Sequence, residues 1–221
     1  MDLEYIRFQM SLSPSVILEI ICFLISLSIY FQKNTSFALK LFPLFLFITA
    51  VLEVVGFLMM KAGIRNVLLY NLFGILSVDF YLFYIRSGIG GKAKRRAILI
   101  AIWVYPFLVI LNMLFVQVNV FHSITYSIGC LLIVAACIAY FLELFQLKRS
   151  INLLREPAFW ICSALLFFFT CTLPFIGMLN YLIKVSPEII NNLGAILVVI
   201  NFLQYSLFSI AFLCRLGWDN K

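Results

Sequence analysis

Charge is what this sequence has least of. Asp, Glu, Lys and Arg make up 11% of its 221 residues, against about 25% in an average soluble domain. That shortage excludes a soluble globular enzyme and a disordered tail, both of which need polar surface to stay in water. Histidine occurs once, at His122, and none of the six cysteines falls in a Cys-x-x-Cys pair. A zinc site or a bis-histidine haem therefore lacks ligands, and no cofactor is expected. Cys22, Cys130, Cys137, Cys162, Cys171 and Cys214 all lie in apolar runs, which reads as small buried hydrophobes rather than a disulfide framework. A cleavable leader is not expected either. The start, Met1-Asp2-Leu3-Glu4, is acidic, and no small-residue cleavage site follows the first apolar run. That run reads as a membrane span.

What is present is apolar: 65% of the residues are hydrophobic. A crossing needs about 20 such residues. The runs predict seven transmembrane helices, at 12–31, 41–60, 66–86, 97–116, 122–146, 157–183 and 189–213. The chain is then one all-helical, polytopic transmembrane domain, 1–221. The weakest break is Gln117 to His122; without it two spans would fuse into a run too long for one crossing. The longest loop, 87–96, leaves no room for a soluble catalytic, sensory or DNA-binding unit, so an enzyme is not expected.

The net charge of +7 reflects 16 Lys and Arg against nine acids. Twelve of the cations fall on one side of the seven-span layout: Lys33, Lys40, Arg86, Lys92, Lys94, Arg95, Arg96, Lys148, Arg149, Arg155, Arg215 and Lys221. Arg7, Lys61, Arg65 and Lys184 fall on the other. The positive-inside rule then predicts an N-out, C-in topology. It also reads the basic charge as a topology signal, with attraction to anionic headgroups at Lys92–Arg96, rather than as a nucleic-acid surface.

Shifting the chain by 121 positions aligns spans two and three with spans six and seven. Thirteen of the 41 positions from Leu44 to Tyr84 are then identical, including Thr49/Thr170, Gly56/Gly177, Asn71/Asn192 and Tyr84/Tyr205. Two parallel halves, 12–86 and 122–213, joined by a linker helix at 97–116, would give a 3+1+3 plan about an axis along the membrane normal. The alternative is seven greasy helices in chance register.

An acid at the centre of a span costs about 2.5–3.5 kcal/mol on insertion scales, so it marks a candidate site. Glu19 in span one, Glu53 in span two and Asp79 in span three qualify. Glu143 lies near the cytoplasmic end of span five, within reach of Lys148 or Arg149. Asn66, Tyr70, Asn71, Asn112, Asn180, Asn191 and Asn192 could ring an outward-facing cavity around Glu53. Glu53 would then be counter-ion to a small polar or cationic ligand, with Asn71 and Asn192 as hydrogen-bond partners. The competing reading for the asparagines is interhelical glue. Pro106 and Pro174 interrupt spans four and six, and at the 121 offset Pro174 stands opposite Glu53, so that a gate or kink is expected. Trp103, Trp160, Tyr30 and Tyr181 read as interfacial aromatics. His122 reads as lying at the outer interface without an obvious partner. Ser87-Gly88-Ile89-Gly90-Gly91-Lys92-Ala93 has the wrong spacing for a phosphate loop.

Thr49-x-x-x-Glu53-x-x-Gly56, Tyr70-Asn71-x-Phe73, Pro157-Ala158-Phe159-Trp160-Ile161 and the closing Asn201 to Cys214 together resemble a group of small bacterial seven-helix membrane proteins. The resemblance implies an inner-membrane accessory or sensory component that acts with a membrane-bound kinase or other effector, as a monomer or oligomer. It assigns no catalytic residue. The 3+1+3 plan is similar in architecture to the SWEET-type sugar transporters, whose Pro-Gln motifs are absent here. Three functions follow in order. The first is a signalling component that binds a small ligand or lipid in its outer half. The second is a small solute or ion transporter, and the third an oligomeric pore-forming defence effector.

Overall fold

The computed structural model describes residues 14–32, 35–118, 120–146, 152–177 and 187–214, with backbone alone at 14–15 and 187–194. All regular structure in these residues is helical. We label the α-helices α1 (Pro14–Ser26), α2 (Phe37–Lys40), α3 (Phe42–Lys61), α4 (Val67–Gly88), α5 (Lys92–Phe115), α6 (Ser123–Gln146), α7 (Pro157–Gly177) and α8 (Pro187–Leu213). Lipid offers the backbone no hydrogen bonds, so a chain this apolar must satisfy its own amides within each segment. The ends follow local chemistry. Pro opens α1, α7 and α8, where its missing N–H is an orphan in any case. The Ser36 side chain caps α2 by accepting from Leu39 N at 3.2 Å. Gly63, at φ 72°, ends α3. Gly63 N donates to Met60 O and Ile64 N to Met59 O, a pair of closing bonds that requires the left-handed region at Gly63.

Among the described residues, six helical stretches are long and apolar enough to cross a membrane: Phe37–Lys61, Val67–Gly88, Lys92–Phe115, Ser123–Gln146, Pro157–Gly177 and Ala195–Leu213. The first apolar element is shorter. It tightens at Leu27 into a 3-10 helix, Leu27–Phe31, which advances faster per residue than an α-helix.

One boundary differs from expectation. The segment 87–96 is not a ten-residue loop: α4 runs to Gly88 and α5 starts at Lys92. Only Ile89, Gly90 and Gly91 connect them. Lys and Arg are good helix formers, and hydropathy alone hides a basic first turn.

Six of the helices form a ring, with α1 against α3 and α8, α8 against α7, α7 against α6, α6 against α4, and a light α3–α4 contact closing it. Helix α5 stands outside, on α4 and α6. Aromatic side chains fill the interior. Phe42 is fully buried, with Phe80, Tyr84, Phe208 and Phe212 at centroid distances of 5.0–5.6 Å. Phe45 stacks on Phe80 at 4.1 Å, and Tyr81 meets Phe169 edge-on at 5.8 Å. Such pairs add about 0.5–1.5 kcal/mol beyond their burial. The outer surface is apolar in turn: Leu44, Phe47, Val51, Val54 and Leu58 line one exposed face of α3. An exposed stripe of this length fits a lipid-facing surface rather than a water-facing one.

Candidate functional site: an acid–tyrosine seam

Two carboxylates near mid-helix are each met by one phenol. Glu19 of α1 is 3% exposed and accepts from the Tyr205 hydroxyl of α8 at 2.5 Å. Glu53 of α3 is half-buried and accepts from the Tyr70 hydroxyl of α4 at 3.3 Å. Glu53 and Tyr70 both lie within electrostatic reach of Glu19. Gln204 of α8, buried, reaches Tyr81 of α4 alongside. The four helices thus share one polar seam.

Gly56 makes the Glu53–Tyr70 pair possible. A Cβ there would sit 2.5 Å from the Tyr70 hydroxyl oxygen, so only glycine admits the phenol to Glu53, one helical turn away. Asn66 Nδ2 donates to Gly56 O at 3.2 Å and ties the start of α4 to the same point. An ionised carboxylate has about four acceptor sites, and among the described residues each of these receives a single hydroxyl. The seam can therefore take further hydrogen-bond donors or a positive charge.

Asp79 belongs elsewhere. Nine residues separate it from Tyr70, about two and a half turns, so the two project from opposite faces of α4. Its Oδ1 is buried without a hydrogen bond, as is the Tyr105 hydroxyl of α5, and the two are within electrostatic reach. Tyr105 packs where α6 has Gly129, whose Cβ would sit 2.7 Å from that hydroxyl oxygen.

Asn71 joins neither acid. Its Nδ2 donates to Val120 O at 3.1 Å, and its Oδ1 accepts from His122 N at 3.2 Å. His122 is fully buried rather than lying partnerless at an interface. Its Nε2 faces Asn71 O at 3.0 Å and its Nδ1 faces Thr125 Oγ1 at 3.1 Å. A carbonyl can only accept, so Nε2 carries the proton. Asn112 Nδ2 donates to Gln117 Oε1 at 2.8 Å and to Thr125 Oγ1 at 3.2 Å, and Gln117 Nε2 donates to Ser123 Oγ. This knot fastens the α5–α6 connection onto α4 and accounts for the weak apolar break there.

The side chains of Asn191 and Asn192, with Asn180 and Tyr181, lie outside the described residues. So do Lys148 and Arg149. Glu143 instead accepts from Gly90 N at 2.6 Å and Gly91 N at 3.0 Å, at the head of α5, with Lys94 Nζ at 4.0 Å. Helices α5 and α7 run through Pro106 and Pro174. All six cysteines are free. Tyr205 is the partner that the sequence reading missed; its signal was a tyrosine deep inside a span, far from either aromatic belt.

No family model matches the chain, and no curated protein or solved structure matches it.

Proposed function

We propose that this is a seven-span inner-membrane protein, N-out and C-in, built of two similar halves, which acts as a sensory or accessory signalling component. It binds a small cationic or hydrogen-bond-donating ligand at the Glu19–Glu53 seam. It passes occupancy to a partner such as a membrane-bound kinase through the short cytosolic connections. The observation that carries this is the pair of acids each met by one phenol, the buried Glu19 with Tyr205 between α1 and α8 and the half-buried Glu53 with Tyr70 between α3 and α4. Among the described residues no ion pair offsets their insertion cost, which is the pattern of intramembrane acids retained for function.

The packing supports the two halves. Exchanging α1 with α6, α3 with α7 and α4 with α8 maps the α1–α8 contact onto α6–α4, α1–α3 onto α6–α7, and α3–α4 onto α7–α8; every one of these pairs is in contact. At the 121 offset Glu19 also stands opposite Tyr140, and Tyr140 packs on α4 at Gly88, one turn from Tyr84, the counterpart of Tyr205. The same pattern favours a second reading, transport of a small cation with Glu53 titrating beside Glu19, which meets Tyr205 at the junction of the halves.

Proteoliposomes loaded with a pH-sensitive dye and challenged with a panel of small amines separate the two. The signalling reading expects no flux, and a cross-linked partner retained by Glu53→Gln while the response is lost. Flux abolished by Glu53→Gln would instead establish the transporter.

A further inference from the structure

Helices α6 and α7 carry an apolar groove on their outward surface that shares no residue with the acid–tyrosine seam. Ile138, Phe141, Leu142 and Phe145 form one wall, and Phe159, Ser163 and Leu166 the other, around a volume of about 400 Å³. Its one hydroxyl, Ser163 Oγ, donates to Phe159 O at 2.8 Å, so the walls present no free donor. Phe141 stacks on Phe145 at 6.1 Å and meets Phe159 edge-on at 5.9 Å. Phe145 is 67% exposed. The groove runs toward the end of the pair where residues 147–156 join α6 to α7. That connection contains Lys148, Arg149 and Arg155 against Glu156 alone, and Arg155 is exposed at the end of the 3-10 turn Leu153–Arg155.

We infer that this groove seats an acyl chain of an anionic phospholipid, with its phosphate drawn to Arg155. The inference rests on the membrane reading but not on any ligand at Glu19 and Glu53. In lipid, an apolar wall gains nothing from one acyl chain over another, so selection must come from the headgroup. Each Lys or Arg at an anionic surface is worth about fivefold in affinity. Trp160 supplies the reporter: its ring lies 5.6 Å from that of Phe159, and its Nε1 donates to Leu154 O at 3.0 Å, beside Arg155.

The test uses the full chain in nanodiscs, with Trp103→Phe and Trp218→Phe leaving Trp160 as the sole tryptophan. Brominated phosphatidylglycerol should quench Trp160 more than brominated phosphatidylcholine at equal mole fraction. Arg155→Gln should cut that preference about fivefold, and Ser163→Phe, which fills the groove, should abolish it. A companion chain whose sole tryptophan replaces the exposed Phe115, at the far end of α5 from its basic turn, should respond equally to both lipids. Equal quenching of Trp160 by the two lipids would overturn the proposal. So would a preference that survives both substitutions, or a Trp160 shielded from both lipids, which would mean a second copy or another protein covers the groove. Native mass spectrometry of the unsubstituted protein gives an independent reading: retention of phosphatidylglycerol over phosphatidylcholine is expected, and equal retention would sink the idea.

Discussion

The polar side chains of this protein gather in two regions that are finished very differently. In the knot of Asn71, Asn112, Gln117, His122 and Thr125, amide, imidazole and hydroxyl groups answer one another within a few residues of a helix end. In the mid-membrane seam, Glu19 and Glu53 each receive one phenol, although a carboxylate in lipid needs more compensation than an amide does. A saturated network is what holding helices together requires. An acid left with spare acceptor capacity is a poor fastener, and is better explained by something that comes and goes.

The comparison can be sharpened by substitution, with stability followed by steric trapping in bicelles. Asn71→Ala should have the largest effect, about 1–2 kcal/mol, because it removes two bonds to the α5–α6 connection and leaves the His122 backbone N–H without its acceptor. Gln117→Leu should cost about 1 kcal/mol by releasing Asn112 and Ser123. Gly56→Ala should cost about 0.5 kcal/mol or less, since the clashing atom is the far end of Tyr70, which can turn away. It should nevertheless shift the Glu53 carboxylate band in the infrared as that bond is lost. Trp103→Leu should change stability by about 0.3 kcal/mol or less, because Trp103 is 76% exposed on the outward face of α5. A Gly56→Ala penalty exceeding that of Asn71→Ala would erase the distinction between knot and seam.

Much of the fold was legible because lipid makes apolar run length decisive. The expected spans at 41–60 and 66–86 fall within two residues of α3 and α4 at each end. The start of α5 was hidden because hydropathy counts Lys92 to Arg96 as loop, whereas the Glu143 carboxylate caps that end and holds the basic turn helical. Of the site, the acids announced themselves by their insertion cost. Their neighbours did not. Glu19 and Tyr205 are 186 residues apart, and nothing local to either encodes the other. Asn71 and Glu53 looked alike at the same depth, but helix phase sends Tyr70 to Glu53 and Asn71 to the α5–α6 connection. Asp79 was separated from Glu53 for the same reason.

The most direct test is the unfolding free energy of the Glu19→Gln/Glu53→Gln double variant beside the parent chain in the same bicelles. Glutamine keeps the shape and still accepts from Tyr205 and Tyr70 while removing both acids. If the seam is kept for a visiting ligand, the double variant should match or exceed the parent in stability while losing function. A loss as large as that of Asn71→Ala would show that the acids are part of the scaffold, and the seam would cease to be a site.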